Sequence, residues 1–383
     1  MAPGFEAVAE EFERNLAERG DGGGAFAAVV DGEPVVDLWG GSADPEDGRP
    51  WREDTLAVIF SGTKGLVALC LLMLADRGQL DVDAPVSRYW PEFGAHGKGD
   101  VLVRDVMSHQ ARLPGVLTPV THDDLLDDRR MAALLANQPR DDDPRAAFVY
   151  HALTYGWLCG ELARRVDGRS IGRFFAGEVA GPLGLDAWIG LPAELEPRVA
   201  RLHLGPGSGS STVFDPAEQG ARDPLFGATW GNPPLLGGGL AWNTPAMHAA
   251  EIPGAGAVAS ARSLARLYGC LARGGELDGV RLLSASTLDA GLREQVRGYE
   301  ALLEKEMAFG LGFALQGNPR DFGAPLDGFG HCGAGGSCHG AWPTERVGFS
   351  YTMNQLRDDA EVDPRPEALV GALHAAVAQR AAA

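Results

Sequence analysis

The sequence predicts an α+β fold: an antiparallel sheet built from both ends of the chain and flanked by helices, with a mostly helical segment inserted between. Three observations predict it. Two short apolar runs near the N-terminus are joined by Asp31-Gly32, a turn pair that favours a hairpin. Helical periodicity and Pro/Gly/Asp-rich loops fill the stretch from about 80 to 250. Strand-like runs then return, followed by a final helix.

Taken in order, Phe5, Val8, Phe12 and Leu16 recur at helical spacing, so 5–19 reads as a helix, broken by the glycines at 20–24. The runs 25–30 and 34–39 form the hairpin. Residues 62–77 read as an apolar helix stopped by Gly78, and further helices are expected at 122–137, 152–166, 170–179 and 260–273. The Gly/Ser-rich stretch 205–211 reads as a mobile surface loop. Strands are expected at 307–316, 327–333 and 347–353, and a last helix at 364–380. This order gives one lobe from 1–78 and 255–383 and an inserted helical lobe from 79–254, with a site expected in the cleft between them.

The 383 residues carry 33 Lys+Arg against 52 Asp+Glu, a net charge of −19. Such a surface repels phosphate backbones and anionic lipid, which excludes nucleic-acid and membrane-surface binding as leading readings. Five cysteines are too few for a disulfide scaffold in a chain this long, and Cys70, Cys159 and Cys270 lie in apolar helical runs that suit buried thiols. The first residues lack the basic and apolar regions of a signal peptide, and the longest uncharged apolar stretch, 65–75, is too short for a bilayer, so cytoplasmic residence is expected.

Three segments can carry chemistry. In Ser61-Gly62-Thr63-Lys64, residues three apart share a helix face, so the Lys64 amine can reach the Ser61 hydroxyl. Burial in an apolar helix lowers a lysine's pKa and lets a neutral amine take the hydroxyl proton. The bland alternative is a capping serine and a lysine that snorkels to water. Tyr150 stands at the expected start of a helix, and near an ammonium its phenol could ionise into a base; the alternative is simple packing. The glycine-rich run His331-Cys332-Gly333-Ala334-Gly335-Gly336-Ser337 could present backbone N–H groups to a substrate, or be a plain hairpin turn. Within it, His331, Cys332, Cys338 and His339 also offer zinc-type ligands, although neighbours on a strand point to opposite faces.

Together and in this order, the three elements resemble the serine β-lactamase and penicillin-binding-protein superfamily, in its class C-like branch and nearest to the family VIII carboxylesterases. The stretches Leu74–Val86, Val103–His109, Pro182–Leu185, 251–266 and 309–313 are similar to that family as well. The resemblance implies a nucleophile at Ser61, its activating partner at Lys64 and a proton-shuttling base at Tyr150. It also implies an oxyanion hole from the N–H groups of Ser61 and Ala334, with His331 and Gly333 in the substrate-binding triplet and Ser108 and His109 as packing residues.

The sequence departs from the lactamase pattern at Ala152, where the resemblance expects Asn, at His331 in place of Lys, and at Cys332 in place of a hydroxyl residue. A lysine–hydroxyl pair grips the β-lactam carboxylate; a neutral histidine and a thiol do so poorly. The expected function is therefore an acyl-serine esterase acting on small uncharged esters, without metal or organic cofactor. Acyl transfer, amide or β-lactam hydrolysis on the same fold, a non-catalytic binder and a zinc protein are the alternatives. Small-molecule esters or amides are the expected partners, with the oligomeric state open. Trp230 and Trp242 are candidate pocket aromatics or core residues.

Overall fold

A computed structural model describes residues 1–205, 216–234, 240–317, 320–357 and 362–382. Most of the expected loop 205–211 lies outside the described residues.

The helix Glu6–Ala17 leads into the strands Gly23–Val30 and Glu33–Asp44. Asp31 and Gly32 join them with φ of 51° and 92°, the two positive angles that a two-residue hairpin matched to strand twist requires. Val347–Met353 pairs with the other edge of Gly23–Val30, so the chain's two ends meet at the centre of one sheet. From edge to edge its nine strands are Val296–Glu300, Lys305–Phe309, Ala314–Leu315, Phe329–Cys332, Cys338–Trp342, Val347–Met353, Gly23–Val30, Glu33–Asp44 and Arg49–Pro50, all paired antiparallel.

Both faces of the central strand are covered, and every residue of Val347–Met353 is buried. Successive side chains point to opposite faces. Gly348 faces the helix Ala261–Ala272 so closely that a Cβ there would collide with Gly269 N and Ala265 O. Phe349 and Tyr351, two residues apart, share the face opposite Gly348, where Trp342 packs against both Phe349 and His374 of the C-terminal helix Pro364–Ala382.

The helix Thr63–Asp76 is buried on every side from Thr63 to Leu74, as its uninterrupted apolar run predicts. It packs against the helix Thr154–Asp167. In a small separate sheet, Ala57–Val58 and Ala187–Ile189 both pair with Ala257–Ala259. Among the described residues no helix is long and apolar enough to cross a membrane.

Several expected elements differ in detail. The 122–137 helix is a short turn, Asp124–Leu126, followed by Asp128–Asn137; the Asp127 carboxylate accepts from Arg130 N and starts a new helix there. The 307–316 strand is two strands, Lys305–Phe309 and Ala314–Leu315, folded back on each other so that Phe309 faces Ala314; Gly312, at φ 88°, lets the chain reverse. Cys338–Trp342 and Val296–Glu300 are strands that alternation alone does not reveal.

The contact between helix and sheet at Gly348 gives a stability prediction. Gly348→Ala should lower unfolding free energy by about 1–3 kcal/mol in chemical denaturation, because both partners are backbone and cannot swing aside. An unchanged midpoint would contradict the close approach.

Candidate active site

Ser61 lies in the tight turn Phe60–Gly62 that runs into the helix Thr63–Asp76. The residue before it, Phe60, has φ 43°, a conformation that costs a bulky residue free energy. Neighbouring contacts hold it there. Thr63 Oγ1 donates to Phe60 O at 2.6 Å and accepts from Ala257 N at 2.9 Å, while the Phe60 ring meets the edge of Trp242 with centroids 5.5 Å apart. Trp242 is thus a packing residue. Ser61 does not cap the helix by its side chain; Gly62 occupies that position.

Lys64 does not snorkel. It is fully buried, with Nζ 3.1 Å from Ser61 Oγ and 2.7 Å from each of two backbone carbonyls, Ala152 O and Gly254 O. Burial holds the amine well below its usual range, and the charged-group partner opposing this is the thiol of Cys159. That thiol is itself pushed up by burial, so it supplies no anion near neutral pH. Gly254 was not picked out in the sequence, because its contribution is a carbonyl, which no side-chain motif announces.

Tyr150 lies just before the helix Thr154–Asp167, in extended chain and not in the helix itself. The Ser61 side chain is near enough to its hydroxyl to favour the phenolate, and Lys64 Nζ lies 4.7 Å from its ring centroid. Burial raises the phenol, and the nearby Glu300 adds to the rise against the influence of Ser61. Burial thus favours the neutral phenol over the expected phenolate, and it also holds the amine meant to favour ionisation toward its neutral form. The ring packs among His109, Phe309, Trp230 and His331, at centroid distances of 4.8, 5.9, 6.4 and 6.1 Å. Trp230 is thus near the site, while His109 packs behind the phenol.

The backbone of Tyr150 is fixed by a residue the sequence did not single out. Glu300 is buried and accepts from the N–H groups of Tyr150, Leu302 and Leu303 at 3.1, 3.1 and 2.5 Å. Nothing in the strand-like sequence around it marks a carboxylate that turns inward.

The glycine turn approaches from the other side. Ser337 Oγ donates to Ile59 O, two residues before Ser61, at 3.3 Å, and Gly333 N donates to Ser337 O at 2.8 Å. Among the described residues, neither Ser61 N nor Ala334 N donates to a protein acceptor. His331 is buried and held down to about 3, first by desolvation and then by Lys64. Its Nδ1 lies 3.0 Å from Cys332 O, so the neutral ring places its N–H there and leaves Nε2 as a bare acceptor. Ala152 contributes its carbonyl and a small side chain.

The zinc alternative is corrected by register. His331 faces His339, and Cys332 faces Cys338, across one antiparallel pair. Neighbours on a strand point to opposite faces, so the two histidines and two cysteines cannot converge on one ion. Cys332 and Cys338 form a disulfide, and His339 Nδ1 pairs with Ser350 Oγ at 2.7 Å. Cys70, Cys159 and Cys270 are free and buried, as expected.

One antiparallel sheet backed by helices, with a serine at the head of a buried helix, is the architecture of the β-lactamase-like serine hydrolases. The profile of the family described as Beta-lactamase matches residues 8–372, and the chain belongs to that family. It is 39% identical over 372 residues to Esterase/beta-lactamase LipL of Mycobacterium tuberculosis (strain ATCC 25618 / H37Rv), covering 92% of this chain and 82% of the relative. Among solved structures, a family VIII carboxylesterase superposes with a TM-score of 0.89 at 38% identity, and a penicillin-binding protein homologue from Caulobacter crescentus with 0.85 at 37%. Each match covers 98% of both chains.

The Glu300 anchor can be tested by stability. Glu300→Ala leaves three buried N–H groups without their acceptor and should cost about 1–3 kcal/mol in urea unfolding. A loss below a few tenths would show that water replaces the carboxylate freely.

Proposed function

We propose that the protein hydrolyses small uncharged carboxylic esters through an acyl-Ser61 intermediate. The reaction is assigned to a cleft between the lobe of 1–78 with 255–383 and the inserted 79–254. The observation that carries this reading is the buried Lys64 amine, 3.1 Å from the Ser61 hydroxyl with no carboxylate partner. A neutral amine has two N–H groups and one lone pair. The carbonyls of Ala152 and Gly254 take the two donors, which leaves the lone pair for Ser61 O–H.

In the acylation step the Ser61 proton passes to Lys64 Nζ while Oγ bonds to the ester carbonyl carbon. The resulting oxyanion is assigned to the unpartnered N–H groups of Ser61 and Ala334. The Tyr150 phenol then gives its proton to the departing alkoxide oxygen and is reprotonated from the Lys64 ammonium. The C–O bond breaks and the alcohol leaves. Water repeats the sequence on the acyl-enzyme, and its proton returns through the same pair, releasing the acid. Here Tyr150 is a relay and Lys64 the base, because burial disfavours the charged form of both.

The preference for uncharged esters rests on His331 and Ala152. A histidine held down to about 3 carries no charge for a carboxylate, and Ala152 has no amide for an acylamino group. The similarity to an esterase/beta-lactamase and to a carboxylesterase supports ester hydrolysis.

Brief exposure to a p-nitrophenyl short-chain ester should add one acyl group, mapped to Ser61 by mass spectrometry and absent from Ser61→Ala. Lys64→Met should slow acylation by about 10²–10⁴-fold. An adduct elsewhere, or full turnover by Ser61→Ala, would sink the serine mechanism. A base works only when deprotonated, so kcat/KM should be lost as pH falls through the depressed pKa of Lys64. Because Tyr150 stays above its ordinary value of 10, the profile should hold a plateau up to about pH 10 without a descending limb. The ester should also exceed a chromogenic cephalosporin in kcat/KM by about 10–100-fold, the worth of one missing charge-assisted hydrogen bond. Equal rates would refute the argument from His331.

A further inference from the structure

A guanidinium lies buried behind the glycine turn, on the side away from Ser61. Arg365, in the first turn of the C-terminal helix Pro364–Ala382, is fully buried. Its Nη2 donates to Gly335 O at 2.7 Å and its Nη1 to Gln355 O at 2.9 Å. Nε and Nη2 grip the Asp363 carboxylate at 2.7–3.2 Å, and Asp21 Oδ1 lies 3.5 Å from Nη1. Asn15 Nδ2 donates to the Arg365 carbonyl at 3.1 Å, which ties the N-terminal helix into the same cluster.

The turn is built to meet this cluster. Gly335 and Gly336 have φ of 84° and 123°, and a Cβ at Gly336 would run into Asp363 Oδ2 and Arg365 Nη2. Gly335 O accepts a second hydrogen bond, from Arg357 N at 3.1 Å. The opposite side of the turn is held by Ser337 against Ile59 O. The segment that carries Ala334 is thus clamped from both sides, by the backbone leading to Ser61 and by a buried arginine.

Stability alone does not account for the arrangement. Replacing a buried ion cluster by apolar side chains of similar volume is often neutral or stabilising. What a rigid guanidinium fork adds is direction: two backbone carbonyls and a carboxylate fix it, and it in turn fixes Gly335. A donor that serves a developing oxyanion must be in place beforehand, so the orientation of the 334–335 backbone sets the reaction rate more than it sets substrate affinity.

We infer that Arg365, held by Asp363 and Asp21, is a positioning residue that sets the Ala334 N–H for the transition state of ester cleavage. The inference rests on the acyl-serine reading proposed above. Arg365 touches no substrate; it acts through the carbonyl of Gly335.

The test is single-turnover acylation of the full-length protein by a p-nitrophenyl short-chain ester, in wild type, Arg365→Lys and Arg365→Gln, with an alkyl boronic acid as a tetrahedral mimic. Arg365→Gln should slow acylation by about 10–100-fold, with KM within about twofold, and weaken boronate inhibition by a similar factor. Arg365→Lys should recover part of both losses, since an ammonium can still reach one carbonyl. Circular dichroism and thermal melts identify variants that remain folded. If Arg365→Gln does not fold, Asp363→Asn provides the second variant: it loosens the guanidinium and should move acylation and boronate binding in the same direction. Folded variants with wild-type acylation rates, or a loss confined to KM, would overturn the inference. Failure of the underlying reading is distinguishable, because then the wild-type protein itself would form no Ser61 adduct.

Discussion

The site depends on an amine sealed from water with no counter-ion among the described residues. Lys64 enters the helix Thr63–Asp76 among apolar neighbours, and its Nζ meets two carbonyls, a hydroxyl and the Tyr150 ring. In water an ammonium at this position would be a poor base. Desolvation reverses that balance, since the charged form loses its hydration and gains no anion in exchange. On the acyl-serine reading proposed above, the all-round apolar character of this helix serves the chemistry as well as the packing.

That constraint reaches across the molecule. The carbonyls that receive the amine come from Ala152 and Gly254, which lie 88 and 190 residues from it in the chain. The amine is therefore satisfied only where segments distant in sequence pack together. The small sheet of Ala57–Val58, Ala187–Ile189 and Ala257–Ala259 pairs three such distant strands beside the segments that carry Ile59 and Gly254. Phe60 is held at a costly backbone angle at this junction, and Thr63, Trp242 and Ala257 together supply the contacts that maintain it.

Burial treats the other titratable groups in the same way. Tyr150 is kept a neutral phenol, and His151, His331 and His339 are held down to about 4, 3 and 3. Burial thus disfavours formal charge on each of these groups, in a protein whose net charge is −19. Such surroundings suit an uncharged ester, and their polarity comes from backbone groups whose orientation is fixed by structure instead of by titration.

Periodicity and spacing carried much of this in the sequence alone. The hairpin at Asp31-Gly32, the apolar helix after Ser61 and the three-residue interval to Lys64 are local, and local sterics or helix geometry decide them. The meeting of Ser61, Lys64, Tyr150 and the glycine turn was legible only as a family resemblance. The tertiary structure decided the rest. It made the phenol neutral, because burial is a property of packing. It separated the His331/His339 pair from the Cys332/Cys338 pair, because register assigns faces. It also brought in Gly254, Glu300 and Arg365, whose parts depend on which distant backbone groups they meet, and no local pattern encodes that.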